Sequence, residues 1–185
     1  MGPGSIAVAA VAAVGLVVLL MYNRLVRLRN RVQSAQADLE VQLARRHDLI
    51  PNLVETVSAY ARHERATLEE ITSARAQGVA ARTASEEAAA DEQVTAALGR
   101  VMAVAEAYPD LKADERFRAL HDELVATENK LAFSRQLYND TVQSLRDATQ
   151  SVPGVWLAGP LGFEEPPFFA ARSDERGVID ARFEE

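Results

Sequence analysis

The sequence contains no cysteine, which removes a disulfide framework, a thiol nucleophile, thiolate zinc sites and a lipid anchor on an N-terminal Cys. Histidine is scarce, with three residues, so a His-based metal or acid–base centre has little to draw on. Three positions before His47, His63 and His121 stand Ala44, Tyr60 and Arg118, so the Glu-x-x-His pair of di-iron bundles is missing. No second His follows His63-Glu64 at the spacing of a zinc protease helix. Aromatics make up only 6% although apolar residues reach 48%. The apolar content is therefore mainly Ala, Val and Leu, which suits helices meeting through aliphatic seams better than an aromatic-rich β-core. Basic residues are outnumbered 20 to 27, for a net charge of −7 and a pI near 5.1. General nucleic-acid binding needs a basic footprint and is excluded on that ground. A length of 185 residues gives room for one compact domain and not for two of full size.

Charge is also missing locally. The first charged side chain is Arg24, followed by Arg27, Arg29 and Arg31 before any acid appears at Asp38. Ser5 to Tyr22 reads SIAVAAVAAVGLVVLLMY. This run makes roughly 27 Å of helix at about 1.5 Å per residue, close to the ~30 Å hydrocarbon thickness of a bilayer. A cleavable signal peptide places its positive charge before the apolar run, and here the charge comes after it. A retained transmembrane helix over 5–23 is expected. Because Lys and Arg favour the cytoplasmic side, the start of the chain should lie outside and everything after Arg24 inside. The four arginines should also meet anionic headgroups.

Beyond the run, Leu25, Leu28, Val32, Ala35, Leu39 and Leu43 alternate steps of three and four, as a core-facing helical stripe does. Pro51 interrupts this pattern. With Asp48 as N-cap it would fall in the first turn of a new helix, Leu49 to Gln77, stopped by Gly78. The first two helices would then fold back or kink near Pro51, and Arg45 and Arg46 read as a solvated turn. That second helix would bury Leu53, Val57, Tyr60, Leu68 and Ile71. Thr83 with Glu86 forms a capping box for a helix to about Ala107. Tyr108-Pro109-Asp110 is a break, and Asp114 to Gln150 carries the cleanest heptads. Four amphipathic segments with short connections predict a helical bundle over 24–150. From Ser151 the composition turns to Pro, Gly and aromatics, a non-helical tail over 151–185 packed along the bundle.

Two long blocks, VQLARRHDLIPNLV (Val41–Val54) and ENK…SRQLYND (Glu128–Asp140), together with the anchor and a GF…FF element at Gly162–Phe169, resemble the LemA family of bacterial membrane proteins. Gln36 departs from the Trp usual in that family. The resemblance implies a mostly antiparallel bundle on the cytoplasmic side, with no enzymatic activity, cofactor or catalytic residue. The expected fold is thus all-α: an N-terminal transmembrane helix continuing into an antiparallel four-helix bundle, with a Pro/Gly/aromatic C-terminal tail.

The remaining candidate sites are few. His63-Glu64-Arg65-Ala66-Thr67 superficially matches a histidine-kinase phosphoacceptor box, but no ATP-binding domain follows, and a solvated helix position is the plainer reading. Glu128 and Arg135, seven residues apart beside the last helix's seam, are a candidate register-fixing ion pair. Thr127, Ser134 and Thr141 recur in that seam as small residues that let a neighbour come close. Trp156, Phe163, Phe168 and Phe169 form a candidate partner-docking edge. No metal, cofactor or nucleic acid is expected, and no catalysis. The function expected is a membrane-anchored scaffold or adaptor that binds an unidentified protein partner or itself at the inner face of the cytoplasmic membrane. The alternative is a signalling or stress-sensing relay working through the anchor helix.

Overall fold

The computed structural model describes residues 2–169, which are helical with no strand among the described residues. The first helix, α1, runs without interruption from Pro3 to Tyr60. The break expected before Pro51 is absent, Asp48 lies within the helix rather than capping a new one, and Pro51 sits in the interior on an exposed face. A proline there leaves the carbonyl four residues back, that of His47, without its helical N–H. Arg75 Nε donates to this carbonyl at 2.7 Å, which restores the lost hydrogen bond and lets the helix carry the proline.

The chain turns instead at Ala61–Glu64, where Ala61 N–H donates to Val57 O at 2.9 Å and Glu64 N–H to Ala61 O at 3.1 Å. Ala61 is fully buried at the turn, and Tyr60, expected in the core, is exposed. The next helix, α2, spans Arg65–Ala80 and passes through Gly78 rather than stopping there. The Thr83–Glu86 capping box is formed and opens α3, Ala84–Ala107. The break at Tyr108 leads into a short α4, Pro109–Ala113, before α5, Glu115–Gln150. Asp114 starts α5, its carboxylate accepting the backbone N–H groups of Arg116 at 2.8 Å and Phe117 at 3.0 Å. The Phe117 amide and then the Tyr60 hydroxyl hold that carboxyl below its usual range. The tail is not wholly irregular, because Gly154–Leu157 forms one turn of helix, α6.

The described chain divides into two compact units, one of residues 2–42 and 130–168, the other of 43–129 with Phe169. The second unit has a core drawn from five helices. It is built from Ile50, Leu53 and Val57 of α1, Ile71 and Ala74 of α2, Val94, Leu98 and Val101 of α3, and Phe117 and Leu124 of α5, with Leu111 of α4. Each large aliphatic side chain withdrawn from water there contributes on the order of 1.5–3 kcal/mol. The first unit buries Met21, Leu25, Val32, Ala35 and Leu39 of α1, and Leu131, Tyr138, Val142, Leu145 and Ala148 of α5.

Candidate functional site

Charge lies inside the 43–129 unit. Arg46 has no exposed surface and Asp91 almost none. The Arg46 guanidinium reaches the Asp91 carboxylate directly and also donates to the Asp91 backbone carbonyl at 3.2 Å, to Thr95 Oγ1 at 2.9 Å and to Glu128 Oε1 at 2.7 Å. One cation from α1 thus holds α3 and α5 together. The expected solvated turn at Arg45–Arg46 is replaced by helix, with one arginine outside and the next inside. Arg45 is half-exposed and pairs with Glu123 at 2.9 Å. Glu128 has Arg46 as its ion-pair partner, and Arg135 belongs to the other unit.

Thr95 and Glu128 also line a cavity of about 250 Å³, walled by Leu98, Met102, Leu124 and Val125. The cluster is therefore the polar end of an apolar groove. It offers a fixed positive charge and two carboxylates, an arrangement suited to setting helix register. On the other side of α1, the His47 ring is buried and its Nε2 has no hydrogen-bond partner. A Cβ at Gly78 would stand 2.5 Å from that nitrogen, so glycine is needed there for space. Burial chiefly, then the neighbouring Arg46 and Arg75 charges, lower the His47 pKa below its ordinary 6.5, while Asp48 opposes the shift. His63 lies in the Ala61–Glu64 turn, off any helix. Thr127 Oγ1 donates to Glu123 O and Thr141 Oγ1 to Tyr138 O, each at 2.8 Å, so both hydroxyls are used within their own helix.

In the other unit, Arg24, Arg27, Arg29 and Arg31 are all exposed on α1, directly after the apolar run. Phe163 is buried beside them. Its ring meets Tyr22 edge-on at 6.0 Å, and Arg29 lies over it at 5.4 Å. Trp156 is exposed, and Phe168 is exposed with Arg146 over its ring at 4.5 Å; Phe169, which belongs to the 43–129 unit, is buried. The tail is tied to α5 by polar contacts as well. Tyr138 Oη donates to Pro167 O at 3.0 Å, and Glu165 accepts from Thr149 Oγ1 at 2.8 Å and from Gln150 Nε2.

The Arg46–Asp91 pair was the functional feature that sequence reasoning missed, though a signal existed. Arg46 continues the α1 stripe as Leu39, Leu43, Arg46, Ile50, Leu53, and Asp91 heads the α3 stripe of Val94, Leu98 and Val101. A charged residue on each seam, at matching periodicity, is the pattern of a buried pair. Among the described residues no group of three or more His, Asp or Glu is placed to hold a metal ion.

Comparison with curated proteins finds no match. A sequence profile of the LemA family matches residues 35–183, a span that begins after the apolar run and the arginines and takes in the Arg46 network and the tail. That covers most of the sequence, and the chain belongs to the LemA family.

Proposed function

We propose that this chain is a single-pass membrane protein that works as a scaffold or adaptor, presenting an antiparallel four-helix bundle at the cytoplasmic face. The observation that carries the reading is the contrast within α1. Ile6, Val8, Val11, Val14, Leu16, Leu19 and Leu20 are all largely exposed, whereas from Leu25 onward the same helix buries one regular stripe. A bare apolar helix of this length is unfavourable in water and suited to a bilayer. The arginines that follow it favour the N-out, bundle-inside orientation. The acidic remainder of the chain keeps the bundle soluble near anionic lipid and favours a basic partner. Phe133 on α5, 67% exposed, is a contact point of the kind that partner surfaces use.

Photo-crosslinkers placed in cells at Phe133 and Phe168, followed by mass spectrometry, test the adaptor role. One reproducible foreign protein joined at either position is the expected result. Adducts only with a second copy would replace the adaptor by a self-assembling scaffold, and adducts with neither would remove both. Protease reaching the bundle in intact spheroplasts would overturn the orientation.

A relay is the second reading, favoured by the continuity of α1 from the apolar run through Tyr60. Inserting a few alanines after Gly15, in the exposed run, rotates that run against the rest of α1 and leaves the buried stripe from Met21 onward in register. A relay loses its output, and a scaffold tolerates the change.

A further inference from the structure

From Ser151 to Phe163 the tail reads SVPGVWLAGPLGF, with no charged residue. It is a built loop. Ala158 N–H donates to Gly154 O at 2.8 Å, Leu161 N–H to Leu157 O at 3.1 Å and Phe163 N–H to Ala158 O at 3.0 Å. Gly162 takes the positive φ of 69° that closes it. Two contacts fix its level along α1. Gly154 is packed so tightly that a Cβ there would overlap Ala148 O and stand 2.8 Å from Met21 Cε. Phe163 lies against Tyr22 and Arg29. Met21 and Tyr22 are the last residues of the apolar run before Arg24. The loop is therefore held at the level where the run gives way to the arginines.

What it buries is small or aromatic and points to the helices: Gly154, Ala158 and Phe163. What it leaves exposed is larger and apolar: Val152, Val155, Trp156 and Leu161, with Val152 at 67% and Trp156 at 69%. Exposed apolar side chains gathered on one loop mark a binding surface. We propose that this loop is a second membrane contact, seating Val152, Val155, Trp156 and Leu161 in the interfacial layer of the bilayer that α1 crosses. This rests on the reading that residues 5–23 span the membrane.

Three observations favour lipid over a protein as the occupant. The patch is continuous in level with the end of the apolar run. Its one large aromatic is tryptophan, the side chain that settles at the headgroup boundary because one edge is apolar and the other carries an N–H. The charged groups beside it on α1, Arg24, Arg27, Arg29 and Arg31, match anionic headgroups. Of the two acids that follow the loop, Glu164 is exposed, and Glu165 is engaged by Thr149, Gln150 and Arg146. Because α1 already holds the loop at the surface, insertion is intramolecular and a shallow apolar wedge suffices.

Trp156 is the only tryptophan in the chain, so its fluorescence reports on this loop alone. The full chain is reconstituted into phosphatidylcholine vesicles containing a minor share of phosphatidylglycerol. The expected result is blue-shifted emission, loss of most of it when the phosphatidylcholine is brominated high on the acyl chain, and weak quenching by aqueous iodide. Emission quenched by iodide and untouched by bromolipid overturns the proposal. Protection from iodide without bromolipid quenching also overturns it, since a second copy or another protein surface then covers the loop. A companion form carrying Trp156→Phe and Val14→Trp separates the two readings. If the reporter at position 14 is quenched by lipid brominated near the chain end while Trp156 is not quenched, the span stands and the loop contact falls. If neither is quenched, both fall.

Discussion

In the unit of residues 43–129 a guanidinium, a carboxylate and an imidazole lie inside the protein, and the half-exposed Arg45–Glu123 pair lies outside. In the unit of residues 2–42 and 130–168 the balance is reversed, with Val, Leu and Trp side chains outside and aromatic rings tucked under arginines. Both units use the same two helices, α1 and α5. The difference shows that helical continuity says nothing about solvent. A buried ion network suits the selection of one helix register, while exposed apolar surface suits the bilayer contact proposed for the other unit.

The largest effect that would break this contrast is removal of Arg46. Arg46→Met removes the buried guanidinium that joins Asp91, Thr95 and Glu128, and a loss of about 3–5 kcal/mol is expected, read by urea unfolding of the full chain in detergent micelles. Adding Asp91→Leu should return part of that loss, because the buried carboxylate that faced the guanidinium is removed with it. If the single and double variants are equally unstable, Arg46 acts by packing and not by charge. Arg45→Ala, one residue away, should cost less than about 1 kcal/mol.

Gly78→Ala comes next, since its methyl group would press on the His47 ring. A cost of about 1–3 kcal/mol is expected for such overpacking, relieved when His47→Ala is added. A Gly78→Ala variant as stable as the parent would show that the ring can move aside. Arg75→Ala probes the same segment differently. It leaves the His47 carbonyl without Arg75 or a helical N–H, for about 1–3 kcal/mol. Pro51→Ala supplies that N–H, so the double variant should recover most of the loss. Failure to recover would mean that Arg75 stabilises α2 through some other contact.

These residues also show where sequence reasoning succeeded and where it stopped. The capping box at Thr83, the break at Tyr108 and the start at Asp114 were legible because each is a local hydrogen-bonding solution carried by the residues themselves. The uninterrupted α1 was not read, because Pro51 is a local signal and its remedy, Arg75, comes from another helix. The true turn at Ala61–Glu64 contains neither glycine nor proline, so nothing local marks it. Following the heptad stripe through Arg46 to Val57 would have corrected both errors, since a stripe that keeps its phase across a proline belongs to one helix. Of the four tail aromatics, sequence could not tell which turn inward, because Phe163 is buried by contacts with Tyr22 and Arg29 more than 130 residues earlier.

The smallest effect is that of acid on His47. The folded protein holds this imidazole's pKa below 6.5, chiefly by burial, so the unfolded chain takes up the proton more readily. Unfolding therefore consumes a proton once the pH falls below about 6.5, and stability declines from there toward lower pH. Glu86, Asp114 and Glu165 have pKa values lowered from 4.5, 3.8 and 4.5, so their contributions are lost only at more acid pH. The interval between pH 7 and 5 thus isolates His47, whose charged neighbours are Arg46, Arg75 and Asp48. Unfolding midpoints across that interval should fall for the parent and stay flatter for His47→Gln. Equal slopes would mean that the ring reaches water before the helix opens, and that Gly78 protects space and not a neutral imidazole.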